Sequence, residues 1–215
     1  MRALFNLFLF LFLFAAASPC PARTVIQNRH VIIVSEKGSL DTAKHFLKEF
    51  SQINDGVEQS LGLELQSRPI LKLVQNSAKF EQMSGSQYTV AFAVPRRSLI
   101  VLRVALKDSA NLLLLDDTLK HELCHLILHQ NIAESRLPKW LDEGVCQWVS
   151  GTMGEFLVRG NLEPLDFSRA EITLKSLRDR FPNERHQLAL AYWQSRSFVQ
   201  YLSARYGRES IIRIL

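Results

Sequence analysis

Residues 119–144 read LKHELCHLILHQNIAESRLPKWLDEG, and this stretch decides how the second half of the chain is built. His121 and His125 lie four apart inside the apolar run Leu119–Leu128. Residues four apart on a helix share one face about one turn apart, so two imidazoles can meet one ion. Glu122 stands beside the first histidine, where its carboxylate can reach a metal-bound water without displacing it, the position of a general base. A plainer alternative stays open: His121 and Glu122 decorate a solvated face, and His125 is a satisfied core histidine.

Two histidines need a further ligand. His129 repeats the spacing of four but lies roughly 12 Å along the axis from His121, too far for one helix to place all three on one ion. A metzincin arrangement needs Gly at 128 and His at 131, where this chain has Leu128 and Asn131. A second helix can supply the ligand instead. Pro138-Lys-Trp-Leu-Asp-Glu-Gly144 opens one with proline in its first turn and two acids near its positive end, which makes Glu143 the candidate. Three protein ligands with one open position is the arrangement of a catalytic zinc.

HELCH followed by KWLDEG resembles the gluzincin metallopeptidases of the peptidase MA superfamily, whose third ligand is the Glu of a WLxEG-type motif. The segment from Ala191 to Leu202 and the pair Tyr206-Gly207 are similar to the C-terminal helix of small domains of that superfamily, so the resemblance covers roughly residues 25–215. It implies a zincin-like fold with Zn2+ held by His121, His125 and Glu143, Glu122 as base, and the strand Tyr88–Val94 as the substrate-lining edge. It also implies an oxyanion donor from the C-terminal half, for which Tyr192 and His186 are candidates. The alternatives are a tyrosine that packs in the core and an ordinary loop histidine. Asp142 and Gln147 are candidates for supporting the ligands from behind.

The N-terminus has a different character. Arg2 precedes a Leu/Phe-rich run from Ala3 to Phe14 and then Ala15-Ala16-Ala17, the anatomy of a secretory signal, with cleavage after Ala17 or Ala22. The expected organisation is a signal peptide at 1–22 and one domain at 23–215, in a protein that is exported, periplasmic or secreted. Membrane association follows only if the segment stays uncleaved or Cys20 is lipidated, and Pro19 argues against lipidation. Three cysteines in an exported chain allow at most one internal disulfide, and Cys124 and Cys146 each follow a candidate ligand by three residues, so an interhelical bridge and two buried thiols are both open. The net charge of +5 is scattered, with no stripe that would mark nucleic-acid binding.

The remaining patterns fix the fold class. A β-branched run from Thr24 to Ser35, then Pro69–Val74, Tyr88–Val94 and Ser98–Val104, read as strands, the first of them as one strand or a pair of short ones. Between the first two, apolar residues from Leu40 to Leu61 follow a helical period, with Ser39 and Asp41 to cap it and Gly62 to end it. Helices are expected at Leu112–Gln130, Pro138–Ser150, near Leu174, Leu188–Tyr206 and from Arg208 onward. Strands in the first half and helices in the second predict an α+β fold with a small mixed sheet of about four strands. The functional expectation is an exported zinc metallohydrolase acting on peptide or protein substrates. A catalytically silent envelope module that binds peptides, and a peptidoglycan amidase, are the alternatives.

Overall fold

A computed structural model describes residues 23–36, 38–86, 89–104, 112–151 and 172–215. The expected signal peptide with Cys20, and Tyr88 at the head of the third expected strand, lie outside the described residues. Among the described residues, no helix is long and apolar enough to cross a membrane.

The first β-branched run is a hairpin, not one strand. β1 (Arg23–Gln27) and β2 (Ile32–Glu36) pair antiparallel across a turn built by Asn28. Its Oδ1 accepts from the backbone N–H groups of His30 and Val31 at 2.8 and 3.0 Å, and its Nδ2 donates to the Leu47 carbonyl at 2.9 Å. An asparagine that closes its own backbone turn in this way splits a strand that hydropathy alone leaves whole.

β2 leads through α1 (Leu40–Leu61) to β3 (Ile70–Val74), which lies parallel to it. The apolar face of α1 buries Ala43, Phe46, Phe50, Ile53, Val57 and Leu61, the three-four spacing of a stripe pressed on a sheet. Gly62 ends the helix at φ 66°, a left-handed position that lets its N–H reach the Glu58 carbonyl. Ser39 does occupy the N-cap, but its hydroxyl donates backward to the Glu36 carbonyl at 2.9 Å, so no side-chain cap forms.

After β3 comes α2 (Ser77–Ser84), an element the hydropathy pattern misses because only Phe80 on it is buried. Asn76 caps it through the Lys79 N–H, and Gly85 closes it. β4 (Ala91–Val94) and β5 (Leu99–Arg103) complete a five-stranded mixed sheet in the order β1-β2-β3-β5-β4. β4 is antiparallel to β5 and forms one edge. Alternate residues Leu71, Leu73, Ile100 and Leu102 enter the main core with α1, while Val74 and Val101 face the other way onto Phe80.

The C-terminal half is helical: α3 (Leu112–Asn131), α4 (Lys139–Ser150), α5 (Arg185–Tyr206) and α6 (Arg208–Ile214). α3 is buried over most of its circumference, from Leu115 through Leu128, because α1, the sheet and α4 all pack on it. The helix expected near Leu174 is instead a pair of turns through Thr173–Arg178. These turns have a use: the carbonyls of Arg178 and Leu177 accept from the N–H groups of Lys139 and Trp140, at 2.6 and 3.1 Å, and so cap α4. Pro138 is the N-cap of α4 and has no side-chain donor or acceptor to offer, so the capping comes from outside the helix.

The close approach of α4 to α5 depends on Gly144. A Cβ there would fall 2.5 Å from the Ser195 carbonyl oxygen and 2.9 Å from Val199 Cγ2. Glycine lets the two helix backbones touch, which fixes α4, and with it Glu143, against the rest of the helical half. The architecture is therefore α+β as expected, with five strands instead of about four.

Candidate metal centre

His121, Glu122 and His125 project from the central turns of α3, and Asp142 and Glu143 from the first half of α4 packed beside it. His121, Glu122 and Glu143 are only 3%, 2% and 4% exposed. That burial removes the plainer alternative of polar residues on a solvated face. It demands partners for each group.

The partners converge on one point. His121 Nε2 and His125 Nε2 stand 3.1 Å apart, and Glu143 Oε2 stands 3.5 and 3.4 Å from them. Four ligands at tetrahedral zinc distances are separated by about 3.3 Å edge to edge, so this triangle has the size of one face of a zinc site. Glu143 Oε2 is buried and makes no hydrogen bond of ordinary geometry among the described residues. A buried carboxylate oxygen facing two imidazole nitrogens is what a bound cation would satisfy, and the donor set of two nitrogens and one oxygen suits zinc. His129, by contrast, does not join the triangle, in agreement with its distance along the helix.

Behind the triangle, Asp142 receives His125 Nδ1 at 2.7 Å on one oxygen and His129 Nε2 at 3.1 Å on the other. The first contact fixes the His125 ring through Nδ1 and turns Nε2 toward Glu143, the way a carboxylate orients a ligating histidine. Burial pulls the His125 ring toward neutrality, but the charges of Asp142 and Glu143 raise its pKa well above the ordinary value. Burial likewise pushes both carboxyls up, and the cations around them win: His125 and Lys139 carry Asp142 below the usual carboxylate range, and Lys139 followed by His125 does the same for Glu143.

Gln147 is not hydrogen-bonded to the ligands: both atoms of its amide are buried without a hydrogen-bond partner among the described residues. Cys124 and Cys146 are free thiols, both buried, so of the two open readings the structure has the unbridged one. Cys146 Sγ lies 3.3 Å from His125 Nδ1. Burial pushes its thiol pKa well up, and Cys124, Asp142 and Glu143 push it further. A second buried grouping, His125, Asp142 and Cys146, thus lies directly beside the triangle and shares His125 with it.

An open cleft of about 730 Å³ gives access to the triangle. Its floor is His121, Glu122, His125 and Glu143, one wall is Ala91–Val94 of the edge strand, and Tyr192 of α5 lines it as well. Tyr192 also packs edge-on against Phe181, with ring centroids 5.1 Å apart. His186 is exposed in the first turn of α5, outside the lining of this cleft, and its N–H is taken by Glu184. Of the two oxyanion candidates, only the tyrosine shares the cleft with the histidines.

The sequence model of the peptidase MA superfamily matches residues 60–215, well over half of the chain. The chain belongs to the peptidase MA superfamily. A search of curated proteins returns no match. The matched region of this peptidase MA domain runs from the end of α1 to the C-terminus and contains every residue of the triangle and cleft. Members of the superfamily are typically metal-dependent, which agrees with the buried His-His-Glu grouping.

Two residues near the centre escape the spacing argument. Lys139 places its Nζ 2.6 Å from Glu143 Oε1, and His129 serves Asp142 and not the ion position. The spacing of four from Lys139 to Glu143 and from His125 to His129 is visible in the sequence, but surface lysines and histidines share such spacings freely.

Proposed function

We propose that this chain is a zinc-dependent peptidase of the gluzincin kind, exported from the cytoplasm, that hydrolyses amide bonds in peptide or protein substrates. The observation that carries this reading is the buried triangle of His121 Nε2, His125 Nε2 and Glu143 Oε2 with Glu122 beside it at the floor of an open cleft. His121, His125 and Glu143 would hold the ion, leaving one side of the triangle toward the cleft. Bound zinc would supply Lewis acidity, polarising a carbonyl and bringing water within reach of deprotonation near neutral pH.

The rest falls to side chains of the domain. Glu122, nearly fully buried on the same helix as the two histidines, takes a proton from the attacking water and delivers it to the leaving nitrogen. Tyr192 offers its hydroxyl to the oxyanion that develops at the attacked carbonyl. The edge strand β4 would pair with an extended substrate backbone, which suits a peptide better than a compact ligand. Export rests on the signal-like residues 1–22, and a buried pair of unbridged cysteines is compatible with it.

The test compares wild type with Glu122→Gln on a diverse peptide library, since glutamine keeps the shape and removes the base. Cleavage by wild type, reduced at least about 10²-fold in the variant with metal content unchanged, is the expected result. Equal cleavage by both proteins, or by neither, contradicts the peptidase reading, and cleavage by neither favours a binding module.

A further inference from the structure

Lys139 is in the wrong place for an ordinary helix lysine. It is the first residue of α4, at the positive end of the helix, where a cation is disfavoured. Its pairing with Glu143 runs in the less favourable order, lysine before glutamate at a spacing of four. An exposed pair of this kind contributes little. Here, however, the carboxylate partners are almost wholly enclosed: Glu143 and Asp142 side chains are 5% and 4% exposed, and Lys139 reaches both, at 2.6 Å to Glu143 Oε1 and 3.6 Å to Asp142 Oδ2.

The two oxygens of Glu143 are thus divided. Oε1 belongs to the Lys139 ammonium, and Oε2 faces the two imidazoles. A carboxylate free on both oxygens can close on a cation through both, filling a coordination position that hydrolysis needs open. We infer that Lys139 is a positioning residue that restricts Glu143 to ligation through one oxygen, a role that rests on Glu143 being a metal ligand as proposed above. The backbone supports the geometry, because the Lys139 N–H is held by the Arg178 carbonyl at 2.6 Å, so the start of α4 is tied to the 173–178 turns. Arginine would retain the charge and a donor; methionine would retain the stem alone.

The experiment uses the full chain loaded with Co(II), whose visible absorption weakens when the ion goes from four to five ligands, together with Zn(II) affinity from chelator competition. Wild type, Lys139→Arg and Lys139→Met are compared, with His121→Ala as the control for the ligand set. The expected result is a several-fold weaker Co(II) band in Lys139→Met, with zinc affinity equal to or above that of wild type, and a wild-type spectrum in Lys139→Arg. If the methionine variant does not fold, Lys139→Gln, one bond shorter and uncharged, is expected to show the same loss of intensity. An unchanged Co(II) spectrum in the variant that lacks the charge overturns the inference. Should wild type bind no metal, or His121→Ala keep its full complement, the ligand assignment itself fails, a result distinct from failure at Lys139 alone.

Discussion

Two residues of the triangle, His125 and Glu143, are each held by a neighbour outside it. Asp142 fixes His125, His129 and Lys139 share Asp142, and Lys139 takes one oxygen of Glu143. Tyr192 lines the same cleft from α5 and is in contact with the Phe181 ring. Tyr192→Phe keeps that ring contact and removes only the hydroxyl. Its kcat on a cleaved peptide is expected to fall about 10²-fold with KM little changed, the mark of an interaction made in the transition state. A change below about threefold would return Tyr192 to a packing role. Glu143 was legible in the sequence because WLDEG places a second acid-bearing helix at a fixed distance after HELCH. Lys139 was not, since a lysine at a helix start reads the same whether its stem runs into solvent or back over its own carboxylates. His129 was readable only negatively: helix rise excludes it as a ligand but does not say that it serves Asp142.

The element that matters most is α4, which carries Glu143 and is set by two contacts, one at its start and one at its middle. The turns at 173–178 cap its first N–H groups, and Gly144 lets it lie on α5. Gly144→Ala forces a methyl group against the backbone of Ser195, which cannot rotate away as a side chain would. The variant is expected to lose about 1–3 kcal/mol, read as a thermal midpoint several degrees lower by circular dichroism. A midpoint unchanged within a degree would contradict the close approach of α4 and α5. At this scale the sequence was most informative where one face is apolar for many turns, as in α1, whose limits and closing Gly62 follow its periodicity. It failed for α2, where eight residues bury one phenylalanine and leave no period to detect. It failed again at the turns near Leu174, because a buried Leu177 among polar residues looks like a short amphipathic helix.

Across the whole molecule, the hairpin and all but the end of α1 lie before the region matched by the superfamily model, yet Ile33, Phe46 and Phe50 share one core with Leu123 and Leu126 of α3. One link between the two parts can be titrated. Glu36, at the end of β2, accepts from the Gln75 N–H at 3.0 Å and pairs with Lys79 on α2. Burial alone would raise its pKa, but Lys79 and the backbone donors bring it below the ordinary 4.5. A carboxyl lowered on folding stabilises fully above its unfolded value and loses that contribution as pH falls through the folded one. Wild type should therefore exceed Glu36→Gln by about 1 kcal/mol above pH ~5, with the gap closing as the solution is acidified below 4.5. A gap independent of pH would contradict the ion pair. The central claim, that this fold exists to hold an ion between α3 and α4, is tested most directly by metal content. Wild-type protein equilibrated with zinc, desalted and measured by elemental analysis should carry one zinc per chain, and His121→Ala and Glu143→Ala treated alike should carry close to none. Retention of one zinc by either variant, or none in wild type, would contradict the account.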